Sequence, residues 1–246
     1  MSRFSLTGHT ALVTGANTGI GRAIAIAMAE AGASVICAGR RSTQETVDAI
    51  TANCGNAEPM VIDFADPMAA TDLFQSRRID VLVNNAGMIR RADASDFSER
   101  DWDEVIDVNL KALFFTSQAF AKALLERGAT GKIVNIASLL SFQGGIRVAS
   151  YTASKHGVAG LTKMLANEWA ARGINVNAVA PGYIATNNTE ALRNDPERSE
   201  AILARIPAGR WGEPRDIADS AVFLASPAAN YIHGTVLNVD GGWLAR

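Results

Sequence analysis

Short apolar runs separated by stretches of helical periodicity set the rhythm of this chain. TALVTG (10–15), ASVICAG (33–39), PMVID (59–63), IDVLVNN (79–85), GKIVNIAS (131–138), INVNAVAP (174–181) and TVLNVDGG (235–242) each predict a strand. Runs that are apolar nearly throughout, rather than alternating, belong to strands covered on both faces. The βα alternation therefore predicts an α/β fold, a doubly wound parallel sheet of seven strands with helices on both sides. Asp66-Pro67 supplies a capping carboxylate followed by a proline at the first helical position, so a helix is expected from Pro67 and another from near Pro214. Gly32, Gly128 and Gly173 stand where helices should end. Residues 182–212 break the rhythm: the stretch is longer than a common connection, should carry helices of its own, and is expected to act as a substrate lid. With no linker and no low-complexity tract, residues 1–246 read as a single domain.

Charge narrows the partner. The chain has 23 Lys plus Arg against 25 Asp plus Glu, a net charge of −2, so no basic field points to nucleic acid or to an anionic membrane. A small molecule is the expected partner. Cys37 and Cys54 make neither a disulfide framework nor a ligand spacing, and His9, His156 and His233 lack zinc spacing, so no metal is expected. The first residues show no secretion signal and no run approaches ~18 apolar residues, so the chain is expected to be soluble and cytoplasmic.

The first strand runs into TGANTGIG, which carries Gly15, Asn17, Thr18, Gly19, Ile20 and Gly21 and opens directly into a helical stretch. Glycines in a strand-to-helix turn let backbone amides approach a pyrophosphate at the positive end of the helix. The spacing G-x-x-x-G-x-G departs from the commoner G-x-G-x-x-G, but the context is that of a Rossmann-like dinucleotide site. An NAD site usually places a carboxylate at the end of the second strand to bind ribose hydroxyls, whereas here the chain reads Gly39-Arg40-Arg41. Guanidinium groups welcome a 2′-phosphate, so NADP(H) is favoured and NAD(H) remains possible. Asp63, with Phe64 beside it, ends the third strand and suits either an adenine contact or a turn. After the fourth strand, Asn84-Asn85-Ala86-Gly87 places amide and small residues where the chain must pass close to the cofactor.

Acid–base chemistry enters with Ser138 and the run YTASK, which spaces Tyr151 and Lys155 four residues apart. On a helix that spacing sets the two side chains on one face, roughly 5 to 6 Å apart. A phenol titrates near ~10, and a neighbouring cation would favour phenolate and bring Tyr151 toward working range at neutral pH. Ser138 is expected to hold the substrate oxygen.

TGANTGIG, NNAG, Asn109, Ser138, YTASK and PGYIAT stand in an order and spacing that resemble the short-chain dehydrogenases/reductases, and the resemblance covers essentially the whole chain. It implies that Tyr151 is the general acid/base, that Ser138 positions the carbonyl or alcohol oxygen, and that Lys155 binds the nicotinamide ribose. It further implies that Asn109 holds a water in the proton relay, that Pro181, Gly182, Ile184 and Thr186 pack on the nicotinamide, and that the protein is a homotetramer. The tetramer would pair helices near residues 102–127 and 151–171. Longer runs, among them IRRADASDFSERDWD, SFQGGIRVASYTASK and RIPAGRWG, look like the family's deoxy- and keto-gluconate dehydrogenases. An acidic sugar brings a carboxylate, which suits a bidentate guanidinium. Arg147 is the first candidate to read it, followed by Arg90 and Arg91, with Gln143, Tyr183 and Asn188 as hydroxyl-directed contacts and Trp211 or Trp243 as walls. Two other functions stay open: reduction of a neutral ketone or 3-oxoacyl thioester, and a non-catalytic cofactor-binding sensor.

Overall fold

The apolar runs do become strands. In a computed structural model describing residues 2–246, β1 (Thr10–Thr14), β2 (Ser34–Gly39), β3 (Asn56–Val61), β4 (Val81–Asn84), β5 (Gly131–Ile136), β6 (Ile174–Pro181) and β7 (Val236–Val239) form one sheet. All pairings are parallel, in the order β3-β2-β1-β4-β5-β6-β7. Alternate side chains of the central strands enter two cores. Ala11 and Val13 face Ile24 and Met28 of α1 (Gly19–Glu30) and Ile217 and Leu224 of α9 (Pro214–Ala225). Leu12 and Leu82 face the other side, with Phe120 and Leu124 of α5 (Ala112–Glu126) and Leu165 of α6 (Ala149–Trp169). Each fully buried Leu or Ile in such a layer contributes roughly 1.5–3 kcal/mol relative to exposure.

β6 is buried along its whole length, while β3 lies at the sheet edge with most residues exposed and carries Pro59. A proline is tolerated at an edge because it withdraws no ladder donor that a neighbouring strand needs.

One predicted helix does not form. Beyond Asp66 the chain makes successive turns, with Met68 N–H donating to Asp66 Oδ1 at 2.9 Å, and only the four-residue α3 (Leu73–Ser76) is helical. The carboxylate caps a turn rather than a helix. The other helix signals hold: Pro214 is the first residue of α9, and Gly32, Gly128 and Gly173 all have positive φ at helix ends. The long helix over 99–126 is interrupted. It runs as α4 (Glu99–Ile106), a five-residue π segment Asp107–Lys111, and α5. Residues 182–212 do carry helices, α7 (Glu190–Arg193) and α8 (Pro196–Leu203). The remaining helix, α2 (Gln44–Thr51), packs with α1 on the first core.

The strand order reverses between β1 and β4. In open parallel sheets a ligand binds in the crevice beyond the carboxyl ends of the strands at such a reversal. Gly15 follows β1 and Asn85 follows β4, so the two motifs meet there.

Candidate active site

The glycine loop is shaped by what it lacks. A Cβ on Gly21 would lie 2.2 Å from the Gly15 carbonyl oxygen and 2.3 Å from Asn85 Nδ2, so only glycine lets α1 start this close to β1 and to the 84–87 turn. Asn85 closes that contact by donating from Nδ2 to the carbonyls of Thr14 (2.9 Å) and Gly15 (3.2 Å). Thr14, a residue the sequence did not single out, accepts at Oγ1 from the N–H groups of Asn85 and Ala86, both at 2.9 Å. Thr46 Oγ1 donates to the Ala16 carbonyl at 2.8 Å and ties α2 to the same loop.

α1 begins without a side-chain cap, because Thr18 is exposed and its hydroxyl accepts nothing from the first turn. Its leading amides point into the crevice, the arrangement that suits a phosphate. Asn17 Oδ1 lies 3.4 Å from where a Gly39 Cβ would stand, so the loop reaches the end of β2. Arg40 and Arg41 follow, both exposed and neither in an ion pair among the described residues. A dinucleotide bearing a phosphate near the second strand fits this cradle. Asp63 is exposed and accepts from the Ala65 N–H at 3.0 Å, so it does form a turn, and its outer face remains available. The Phe64 and Ile184 side chains are buried in the two cores, which leaves only their backbone to meet a ligand. Ile20, Ala86 and Gly87 line the same turn-to-helix region, with Gly87 close to Asn109.

The acid–base group gathers at the start of α6. Lys155 Nζ lies 5.6 Å from the centre of the Tyr151 ring, as the four-residue spacing requires. Its ammonium donates to the Ile136 carbonyl at 2.6 Å, and burial lowers its pKa to about 8. Burial pushes the Tyr151 phenol up, while hydrogen bonding by Ser138 and then the charge of Arg91 act the other way.

Asn109 sits in the π segment, 1% exposed. Its side chain clasps the Met88 backbone twice, accepting from the N–H at 2.8 Å and donating to the carbonyl at 2.9 Å. It also reaches Ser154 Oγ at 3.3 Å, and Ser154 in turn donates to the Tyr151 carbonyl at 2.8 Å. Ser141 donates to the Lys155 carbonyl at 2.6 Å. The serines Ser141 and Ser154 thus lock the turn of α6 that presents Tyr151 and Lys155. Both stand inside the run SFQGGIRVASYTASK, yet nothing in that run assigns them a role.

The rim is less fixed. Arg90 pairs with Glu104 at 2.8 Å and faces Asp101 at 3.5 Å, so it would have to leave both to read a substrate. Arg147 adopts a left-handed backbone (φ 64°), rare for a residue with a side chain, and pairs with Asp93 at 3.1 Å while 58% exposed. Arg91 is exposed, forms no ion pair among the described residues, and is the guanidinium whose charge reaches Tyr151. Gln143 Oε1 accepts from Trp243 Nε1 at 3.3 Å. Trp243 is buried with Leu139 and Ile206, and the Tyr183 ring packs on it at 4.7 Å and on Trp211 at 5.6 Å. These tryptophans anchor the two ends of the 182–212 segment. Asn188 is exposed in the turn before α7. Pro181 ends β6, and Gly182 passes so close to Asp240 that a Cβ there would stand 2.5 Å from the Asp240 Cα.

A half-buried phenol beside a buried ammonium, next to a cradle for a dinucleotide, is an arrangement for moving one proton while a cofactor moves a hydride. Known proteins agree with that chemistry. The family profile described as enoyl-(acyl carrier protein) reductase matches residues 15–244. The chain is 55% identical to 2-dehydro-3-deoxy-D-gluconate 5-dehydrogenase of Bacillus subtilis, over 99% of this chain and 97% of that protein. A crystal structure from Agrobacterium tumefaciens, assigned as a 2-deoxy-D-gluconate 3-dehydrogenase with bound NADP, superposes with a TM-score of 0.99 at 70% identity over 100% of both chains. A gluconate 5-dehydrogenase of Burkholderia cenocepacia, in complex with NADP and tartrate, matches with a TM-score of 0.92 at 39% identity, over 99% of this chain and 98% of that one. With the parallel sheet, the glycine cradle and the Ser138, Tyr151 and Lys155 cluster already in place, these likenesses make the chain a member of the short-chain dehydrogenase/reductase family.

Proposed function

We propose that this protein interconverts a hydroxyl and a ketone on a deoxy- or keto-gluconate, using NADP(H) in preference to NAD(H). The observation that carries the reading is the acid–base cluster, in a chain similar along its whole length to proteins named for deoxygluconate oxidation. A bound nicotinamide dinucleotide supplies the hydride chemistry. Tyr151 exchanges the proton of the substrate oxygen, and Ser138 orients that oxygen by hydrogen bonding. Lys155 binds the nicotinamide ribose, and its ammonium then lowers the phenol pKa. Asn109, held by its grip on Met88, positions a water that returns the proton to solvent.

Gly15, Asn17, Thr18, Gly19, Ile20 and Gly21 bind the pyrophosphate side, Arg40 and Arg41 the 2′-phosphate, and Asp63 with the Phe64 backbone the adenine. Asn85, Ala86 and Gly87, with Pro181, Gly182, Ile184 and Thr186, border the nicotinamide half. Residues 182–212 form the lid of this single domain. The substrate carboxylate is read from the 88–93 and 142–148 rims, by Arg147 after it leaves Asp93 and by Arg91. An exposed pair such as Arg147–Asp93 holds its partners by only about 0–1 kcal/mol, so an acidic ligand can displace the aspartate. Assembly as a homotetramer and a cytoplasmic location belong to the same reading. Among the described residues no helix is long and apolar enough to cross a membrane.

Reduction of a neutral ketone or 3-oxoacyl thioester is the second reading, favoured by 42% identity to a 3-oxoacyl-[acyl-carrier-protein] reductase of Vibrio cholerae over 97% of this chain and 98% of that protein. The deciding assay follows nicotinamide absorbance with each cofactor against deoxy- and keto-gluconates, gluconate and 3-oxoacyl esters. Turnover confined to the acyl esters overturns the sugar-acid reading. In the same assay Arg147→Ala and Arg91→Ala should each raise KM for the acidic substrate about tenfold and leave a neutral ketone nearly unchanged. An equal change for both substrates would remove the carboxylate role from these arginines.

A further inference from the structure

The lid contains a charge that the protein itself does not satisfy. Arg193, the last residue of α7, is half-buried, and its Nε is buried with no hydrogen-bond partner. Its Nη2 donates to the Thr186 carbonyl at 3.2 Å, and it forms no ion pair among the described residues. The acid closest in sequence is turned away, since Asp195 accepts from the N–H of Arg198 at 3.2 Å to start α8. A guanidinium withdrawn from water without an anion is unfavourable, and a fold retains one when something else supplies the anion.

Position indicates what that anion is. Thr186, which Arg193 grips, packs over the glycine loop: a Cβ on Gly19 would meet Thr186 Cγ2 at 3.4 Å and Cβ at 3.6 Å. The Thr186 end of the lid is held rigidly, because Thr189 Oγ1 donates to the Ile184 carbonyl at 2.6 Å and accepts from the Thr186 N–H at 3.1 Å. Arg193 therefore hangs from the residue that covers the uncapped start of α1, where the leading amides already favour a phosphate.

We propose that Arg193 is a cofactor-binding residue of the lid, donating to the pyrophosphate of the dinucleotide and so fastening residues 182–212 onto the cofactor. This rests on the dinucleotide reading of the glycine loop. Its consequence is that the cofactor alone draws the lid down, before any sugar acid arrives, and that the contact does not discriminate NADP(H) from NAD(H).

The test is direct binding without substrate. NADPH and NADH are titrated into the full-length protein by nicotinamide fluorescence, with wild type, Arg193→Gln, Arg193→Lys and Arg198→Gln compared at low and high salt. Arg193→Gln should weaken both cofactors by about tenfold or more, the worth of one charge-assisted hydrogen bond, with the gap narrowing as salt rises. Arg193→Lys should show a smaller loss in the same direction, and Arg198→Gln, an exposed lid arginine, none. Thermal melting of the unliganded variants checks folding, and Arg193→Lys keeps the test decisive if the glutamine variant melts early.

A loss confined to NADPH would mean that Arg193 reads the 2′-phosphate, and would overturn the proposal. Unchanged cofactor affinity with a raised KM for the acidic substrate would overturn it in favour of carboxylate binding. In both cases wild-type affinity for dinucleotide remains. A wild-type protein that binds neither cofactor would instead bring down the dinucleotide reading itself.

Discussion

The floor of the site and its rim are built on different terms. On the floor, Asn109 and Lys155 are 1% and 5% exposed, and each is held by backbone groups: Met88 for the first, Ile136 for the second. At the rim, Ile146 is 93% exposed and Arg147 is tied only to an exposed aspartate. Backbone partners in a packed interior fix geometry to fractions of an ångström, whereas surface ion pairs are exchangeable. The contrast teaches that reaction type here is a property of the core and substrate choice a property of the loops. A chain can change its substrate without touching the residues that perform the chemistry.

The severest way to break the floor is Tyr151→Phe, which removes one hydroxyl and little volume. Turnover should fall by about 10²–10⁴-fold, the usual worth of a general acid/base, while NADPH affinity stays within twofold or so of wild type. Steady-state kinetics beside fluorescence titration separates the two, and retained turnover would end the role assigned to the phenol.

A second experiment sharpens the comparison on the cofactor side. Arg40→Ala combined with Arg41→Ala removes two exposed cations from the end of β2. NADPH binding should weaken by roughly 10- to 100-fold and NADH binding hardly at all, as read by isothermal titration. Equal losses for both cofactors would mean that the pair does not face the 2′-phosphate.

The smallest effect is a slope. Lys155 and Lys132 both have pKa values lowered to about 8 by burial, from 10.5. Above pH 8 the native lysines release protons that the unfolded chain keeps until near 10.5, so the unfolded state binds more protons and stability rises with pH. Above pH 9 the rise becomes shallower, because the unfolded Cys37 thiol ionises while burial in the native state holds it at about 12, which offsets one of the two lysines. Each lysine adds up to about 1.4 kcal/mol per pH unit, so Lys155→Met should cut the rise between pH 8 and 9 roughly in half in urea denaturation of the cofactor-free protein. An unchanged slope would mean that the floor lysine titrates like an exposed one.

How much of this was legible in the sequence follows the same division. The strands were readable because a strand buried on both faces must be apolar nearly throughout, and β1, β2, β4, β5 and β6 are. The placing of Tyr151 beside Lys155 was readable because the two are neighbours on one helix. Partnerships across long loops were not. Nothing local distinguishes Arg90, claimed by Glu104, from Arg91, which is unclaimed, because the distinction depends on how α4 lies against the 88–93 segment. Asp66-Pro67 misled for the opposite reason: a correct capping signal, local to the chain, was used to close a turn through the Met68 N–H instead of starting a helix. Thr14, Ser141, Ser154 and Arg193 went unseen because their work consists of individual contacts with backbone atoms that no residue pattern announces or, for Arg193, of an Nε left without a partner.

The π segment at Asp107–Lys111 has a consequence for how the chain tolerates gaps. It amounts to one residue more than an unbroken helix from Glu99 to Glu126 would use. Deleting a residue there would leave hydropathy and helix propensity almost untouched and would even smooth the helix. It would also remove the bulge that carries Asn109, whose side chain could then no longer clasp the Met88 backbone. A single-residue deletion within 107–111 is thus a change that the hydrophobic pattern would pass and the site would not.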